Sequence, residues 1–163
     1  MAKLFMAVMY ASDELFDSAK ADLVAKYGDV RAESNAYNFD FTGYYDDEMG
    51  SGLKKKLLVF EKEVSKQDLE SVKFFITEVE EKYSDLGNRS VNIDPGYISS
   101  DELVLATWKG KSFKEKISDK IWVHKVLEFE GDKVKEFFHT FADYKLKENQ
   151  DFLVKNKPSA PVV

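Results

Sequence analysis

The fold is decided by an unbroken apolar run near the amino terminus, which reads LFMAVMY over residues 4–10. An apolar run without alternation is typical of a central strand that is covered on both faces. Ser12 stops the run and can cap a helix, because two acidic residues and then an apolar stripe follow it. Gly28 ends that stripe. The chain is therefore predicted to open with a buried strand and a helix over residues 13–27.

Two strands and a second helix are predicted next. Partial alternation favours a strand over residues 30–41, and residues 57–60 are predicted to form a third strand. The connector between them contains two glycines, which suggests that the third strand returns antiparallel to the second. Ser65 with Asp68 three residues later matches a capping box and predicts a helix over residues 66–84.

A fourth strand is expected at residues 90–94, where the sequence DPGY at 94–97 predicts a turn that ends it. The resulting order is βαββαβ. This is the order of the ferredoxin-like α+β sandwich, in which two helices cover one face of an antiparallel sheet. Residues 113–117 and 121–129 predict a C-terminal β-hairpin, and residues 143–154 a last helix.

Length and composition indicate one domain. The chain has 163 residues, of which 44% are hydrophobic and 33% charged, as in ordinary globular proteins. We expect a single α+β domain over residues 1–157 and a frayed C-terminal tail over residues 158–163. The chain has no cysteine, which predicts a cytoplasmic location. The first apolar run is too short to cross a membrane, so we expect no membrane partner.

The charge of the chain favours some partners over others. A net charge of −6 disfavours nucleic acid, whose binding requires clustered lysine and arginine. One basic run, KKK at residues 54–56, enters a predicted strand and is more typical of a solvated edge. The expected partner is therefore a small molecule or a protein, and the sequence leaves the oligomeric state open.

The densest polar cluster is DFTGYYDDEMG at residues 40–50, which contains four carboxylates and two phenols. Carboxylate oxygens suit a divalent cation, the one cofactor that the sequence suggests. Asp40, Asp47 and Glu48 are the candidate metal ligands. The spacing does not match an EF-hand loop, and a solvated loop is the alternative, because acidic residues favour turns without any ligand.

A second polar group follows in NIDPGY at residues 92–97, where two side chains share one strand face. The alternative role for Asp94 is to stabilise the predicted turn. In βαββαβ order, the loop after the second strand and the end of the fourth lie at opposite ends of the sheet. We therefore expect the two polar groups to lie apart unless residues 42–50 fold back or the C-terminal hairpin contributes. The candidate ligand-binding residues are Thr42, Tyr45, Glu48, Lys54, Asn92, Asp94 and Tyr97.

Catalytic motifs are missing from the sequence. His124 and His139 are the only histidines, and no nucleophile elbow or zinc-binding helix motif occurs. The first hypothesis is a binding module for a small molecule or protein. The alternative is a metal-dependent enzyme acting on a phosphorylated substrate. Its metal ligands would be Asp40, Asp47, Glu48 and Asp94, and Lys54 would bind the phosphate.

Three stretches carry a resemblance to a known family: FDFTGYYDDEMG at 39–50, VNIDPGY at 91–97 and LVLAT at 103–107. Together they resemble the prokaryotic domain-of-unknown-function family 4416. The family has no established activity, so the resemblance implies no substrate or cofactor. The sequence departs from the family pattern at FKEKI, residues 113–117, and at WVHKV, residues 122–126, where the family has a Ser-His-Arg stretch and a Glu-containing strand.

Overall fold

The computed structural model describes residues 1–160. Its strands are β1 (Ala2–Tyr10), β2 (Val30–Glu33), β3 (Tyr37–Asn38), β4 (Lys54–Glu63), β5 (Val91–Ser99), β6 (Glu102–Thr107), β7 (Glu115–Lys116), β8 (Trp122–Glu130) and β9 (Lys133–Glu136). Its α-helices are α1 (Asp13–Tyr27), α2 (Asp46–Met49), α3 (Leu69–Lys82) and α4 (Lys147–Asn156), and short 3₁₀ helices cover Lys66–Asp68 and Ala142–Lys145. The strands form one sheet in the order β2-β4-β1-β5-β6-β8-β7, with β3 beside β4 and β9 beside β8.

Strand β1 lies inside the sheet between β4 and β5, antiparallel to both. Residues 4–10 are each at most 1% exposed. Leu4 and Met6 pack in one core on the first face of the sheet, whereas Phe5 and Ala7 pack in a second core on the opposite face. The apolar run therefore lacks alternation because both faces of this strand are covered.

Helices α1 and α3 cover the first face. Ser12 Oγ accepts the Leu15 N–H at 3.3 Å and so caps α1, and Gly28, with φ of 91°, ends it. Ser65 and Asp68 form the expected capping box before α3. The buried apolar residues of both helices belong to one core with the even-numbered residues of β1.

The C-terminal segment, residues 142–156, covers part of the second face of the sheet. Tyr144 and Leu153 from this segment are fully buried in the second core. Asp143 is 2% exposed; it forms an ion pair with Lys55 at 2.7 Å and accepts a hydrogen bond from the Tyr37 hydroxyl at 2.7 Å. These two contacts fix the C-terminal segment to β3 and β4.

The predicted turn at residues 94–97 is wrong, because β5 continues through Pro95 and Gly96 to Ser99. Pairing with β6 begins at Gly96, so the proline comes immediately before the paired residues and removes no N–H from that ladder. Gly96 is needed for a different reason from a turn. A Cβ there would overlap the Val104 carbonyl oxygen and lie 2.9 Å from Leu105 Cα.

The sequence predicted a ferredoxin-like sandwich with an added hairpin and helix, whereas the structure supports the broader class. It shows a mixed α/β arrangement with a nine-stranded antiparallel sheet and, within residues 1–160, four α-helices. The predicted second strand is divided into β2 and β3, and β9 was not predicted. The hairpin of β7 and β8 joins the main sheet through pairing of β8 with β6.

The end of the chain is described as far as residue 160. Pro158 is buried, and Lys157 Nζ donates to the Ser100 carbonyl at 3.0 Å. Residues 161–163 lie outside the described residues, so the frayed tail over residues 158–163 stays a prediction. No helix within residues 1–160 is both long enough and apolar enough to cross a membrane.

Candidate functional site

A cleft of about 400 Å³ opens where β5 and β6 separate. The two strands pair only from Gly96 to Ile98, so the first half of β5 has no neighbour from β6. The Ile93 N–H donates instead to Glu80 Oε2 at 2.8 Å. Burial raises the pKa of the Glu80 carboxyl, although this hydrogen bond and the charges of Lys73 and Arg89 oppose the shift. The sheet therefore divides without leaving this backbone donor unpaired.

Lys73 of α3 reaches this cleft from the first face of the sheet. The residue is 8% exposed and lines the cleft, and its Nζ lies 5.9 Å from the centre of the Trp108 ring. Within residues 1–160 no hydrogen bond or ion pair involves the ammonium group, although its charge acts on the Glu80 carboxyl of the same helix. A charge in a largely buried residue is costly unless it is paired, so Lys73 is the exceptional residue of this cleft.

Two further lysines come from the segment between β6 and β7. Lys109 and Lys114 both line the cleft, and neither forms an ion pair within the described part of the chain. Lys114 Nζ donates to the Lys109 carbonyl at 3.0 Å. Burial, and then the charges of Lys111 and Lys109, lower the pKa of Lys114. An anion in the cleft would therefore relieve repulsion among these groups.

His124 of β8 contributes a neutral imidazole. It is 2% exposed, and its Nε2 has no hydrogen-bond partner among residues 1–160. Burial, followed by the charges of His139 and Lys114, lowers its pKa to about 4. At neutral pH the ring is uncharged and can offer one nitrogen to a ligand as donor or acceptor.

Arg89 links the loop at residues 39–53 to the start of β5. Its Nε and Nη2 donate to the two oxygens of Glu48 at 2.8 and 3.1 Å, and its Nη1 donates to Asn92 Oδ1 at 2.8 Å. The hydrogen bonds from Arg89 lower the pKa of Glu48. The short helix α2 places Glu48, and the pair fixes the Asn92 amide so that its Nδ2 donates to Asp94 Oδ2 at 3.4 Å.

Asp94 and Tyr45 retain unused hydrogen-bonding groups. Within residues 1–160 the Asp94 carboxylate has no ion pair, and Asn92 is its only hydrogen-bond donor. Burial, and then the charge of Asp94, raises the pKa of Tyr45 to about 12, so its phenol stays protonated. Both residues line the cleft.

The structure brings some of the predicted site residues together. Tyr45, Asn92 and Asp94 line the same cleft, and Glu48 adjoins it through Arg89. The expectation that the loop and Asp94 lie at opposite ends of the sheet is wrong. Because β5 runs on to Ser99, Asn92 and Asp94 belong to its first half, at the same end as the loop. Tyr10 confirms this placement, since its register partners are Lys54 and Val91.

Other predicted residues lie outside the cleft. Thr42 Oγ1 accepts the Tyr44 N–H at 3.2 Å, Lys54 is exposed at the start of β4, and Tyr97 donates its hydroxyl to Glu102. The candidate metal ligands are not gathered either, since Asp40 and Asp47 are exposed and Glu48 is bound by Arg89. Among residues 1–160 no group of three or more His, Asp or Glu side chains could hold a metal ion.

Sequence reasoning missed Lys73, Lys114 and His124. A signal existed for the first of them. Lys73 and Glu80 fall on the buried stripe of α3 at helical spacing from Leu69, where an amphipathic helix normally carries apolar side chains. A charged residue on the apolar face is the informative exception to that pattern.

Comparison with known proteins gives a family but no activity. No curated protein and no solved structure matches the chain. The model of the family described as Domain of unknown function (DUF4416) matches residues 1–159. The match extends beyond the three stretches that suggested it and includes the C-terminal hairpin that departs from the family pattern. The chain therefore belongs to the DUF4416 family.

Proposed function

We propose that this protein is a binding module for a small anionic molecule, which occupies the cleft between β5 and β6. The observation that carries the proposal is Lys73, a largely buried residue that lines the cleft and whose ammonium group has no ion pair within residues 1–160. The cleft volume of about 400 Å³ is within the range of small-molecule sites and supports a small ligand over a protein partner. A cytoplasmic location, expected from the absence of cysteine, is part of the same proposal.

The charges around the cleft support an anion. Lys73, Lys109 and Lys114 all line it, and none is neutralised by an acidic side chain within hydrogen-bonding distance in residues 1–160. Arg89 is different, because Glu48 and Asn92 already occupy its donors. The lysines are therefore the groups assigned to the ligand, although Lys109 Nζ also donates to the Tyr44 hydroxyl at 3.5 Å, and Arg89 is assigned to positioning.

We further infer that β2, β4, β1 and β5, with α1 and α3, form a ferredoxin-like unit to which the remaining strands are added. The support is the βαββαβ order of these elements and their neighbour relations in the sheet. On this inference the cleft lies at the junction between the unit and its addition.

The metal-dependent enzyme has less support than the binding module. Its proposed ligands do not meet, since Glu48 is bound by Arg89 while Asp40 and Asp47 are exposed. Lys54, assigned to the phosphate in that hypothesis, does not line the cleft.

The test is the thermal midpoint, Tm, with and without inorganic phosphate, against sodium chloride at equal ionic strength. An anion at 100 times its Kd adds about 2.7 kcal/mol to the free energy of unfolding. For a chain of this size, that raises Tm by about 5 to 10 °C. Lys73→Met should abolish the rise, because methionine has a similar length but no charge.

Lys54→Met is the matched control and should retain the full rise, since Lys54 is exposed and lies outside the cleft. A parent protein whose Tm does not respond to phosphate, or an equal response in Lys73→Met, contradicts the proposal.

A further inference from the structure

The cleft has two chemically different ends. Lys114 Nζ donates to the Lys109 backbone carbonyl at 3.0 Å and lies 5.9 Å from the centre of the Phe113 ring, which is 5.3 Å from the His124 ring. Lys109 Nζ donates to the Tyr44 hydroxyl at 3.5 Å. Lys73 lines the same cleft, and its ammonium group is 5.9 Å from the centre of the Trp108 ring. This end is cationic, with one neutral imidazole.

The other end is formed by groups that recognise neutral hydrogen-bonding partners. Asn92 and Asp94 are two residues apart on one strand, and therefore face the same side of the sheet. Arg89 fixes the Asn92 amide, Asp94 has unused acceptor sites, and Tyr45 adds a phenol. A carboxylate, an amide and a phenol can together accept from and donate to several hydroxyl groups. Arg89 beside them disfavours a ligand ammonium group at this end.

The separation of the two ends sets the length of the ligand. His124 is the register partner of Leu105, and Leu105 is the register partner of Gly96, two residues from Asp94. Two interstrand steps of about 4.8 Å and one two-residue step of about 6.6 Å place the Cα atoms of His124 and Asp94 about 12 Å apart. After the side chains are allowed for, a molecule the length of a pentose or hexose phosphate fits, and inorganic phosphate cannot reach both ends.

We propose that the ligand is a sugar phosphate, with its phosphate at Lys73, Lys109 and Lys114 and its hydroxyl groups at Tyr45, Asn92 and Asp94. This inference rests on the proposed function and adds the hydroxyl-bearing part of the molecule. Three lysines without an ion pair in residues 1–160 suit the double negative charge of a phosphate ester better than the single charge of a carboxylate.

The experiment is isothermal titration calorimetry, in which the full chain is titrated separately with ribose 5-phosphate, n-butyl phosphate, inorganic phosphate and ribose. Ribose 5-phosphate and n-butyl phosphate share the phosphate ester but differ in their hydroxyl groups. Two or more additional hydrogen bonds should make ribose 5-phosphate bind at least about tenfold more tightly than n-butyl phosphate. Free ribose should bind more weakly than either ester.

Two variants locate the effect. Asp94→Ala should lower the affinity for ribose 5-phosphate towards that for n-butyl phosphate, with Tyr45 and Asn92 retaining part of the difference, and should leave n-butyl phosphate binding unchanged or tighter. Asp47→Ala, at an exposed residue outside the cleft, should bind all four compounds as the parent does. The comparison of the two esters on the parent chain gives the same answer if Asp94→Ala fails to fold.

The outcomes separate this inference from the proposed function. If the two esters bind the parent equally, the sugar phosphate is wrong and the anion site stands. If free ribose binds as tightly as ribose 5-phosphate, the two-ended arrangement is also wrong. If no phosphate compound binds, the proposed function fails together with the inference.

Discussion

Replacement of Gly96 by alanine tests the close approach of β5 and β6 from which the cleft opens. The added Cβ would overlap the Val104 carbonyl oxygen and lie 2.9 Å from both Leu105 Cα and the Val104 carbonyl carbon. These are backbone atoms of a paired strand and cannot swing aside as the end of a flexible side chain does. The strands must separate, and the pairing of residues 96–98 with 103–105 must weaken.

The expected loss of unfolding free energy follows from that overlap. Overpacking in a core costs about 1 to 3 kcal/mol, and a clash with backbone belongs at the upper end, about 3 kcal/mol. With an m-value of about 2 kcal/mol/M, the urea midpoint should fall by about 1.5 M. Urea unfolding followed by tryptophan fluorescence measures this midpoint, because the chain contains two tryptophans, Trp108 and Trp122.

Gly43→Ala is the matched control for Gly96→Ala. Its added Cβ would have one near neighbour, the Asp46 Oδ2 at 3.4 Å, which belongs to a flexible side chain. The control should change stability by less than about 0.5 kcal/mol. A Gly96→Ala midpoint equal to that of Gly43→Ala would refute the reasoning about the strand approach.

Two further predictions concern buried ionisable side chains, namely the neutral His124 and the ion pair of Lys55 with Asp143. The pKa of His124 is about 4, below its ordinary value of about 6.5. Between these two pH values the unfolded chain therefore binds a proton at His124 that the folded chain does not bind. Stability should fall as the pH falls from about 6.5 to about 4, and a His124→Gln variant whose urea midpoint falls as steeply would contradict this. Asp143→Asn leaves Lys55 buried without its ion pair and should cost about 3 kcal/mol of unfolding free energy, measured by urea unfolding. Asp151→Asn, in an exposed pair with Lys147, is the control and should cost less than about 0.5 kcal/mol; equal losses would show that burial does not decide the effect.

Local signals in the sequence were sufficient for part of the fold. The helix over residues 13–27 was predicted with the bounds that α1 has, because Ser12 and Gly28 mark its two ends through side-chain and backbone conformation. The central position of β1 followed from an apolar run that needs cover on both faces. These features depend on residues close together in the sequence.

Features set by distant residues were not predictable in the same way. Pro95 and Gly96 have the composition of a turn, but pairing with β1 and β6 holds them in a strand. The division of the second strand into β2 and β3 and the presence of β9 also depend on strand neighbours that local composition does not identify.

The candidate site shows the same limit. Tyr45, Asn92 and Asp94 were found because they are polar residues within short, unusual stretches of sequence. Lys73 stands out on the apolar stripe of α3, but that position does not show which cleft it lines. His124 was missed because it is surrounded by ordinary strand sequence, and only the tertiary structure brings it to the cleft. The erroneous turn had a second effect, since it placed Asp94 at the wrong end of the sheet.

The two edges of the sheet have a consequence for how this protein behaves at high concentration. One edge is divided between β2, of four residues, and β3, of two; the other is divided between β7, of two residues, and β9, of four. A long, flat edge offers unpaired backbone groups to another molecule, whereas short and interrupted edges offer few in register. A wide sheet can therefore end on both sides without providing a template on which further copies of the chain add as strands.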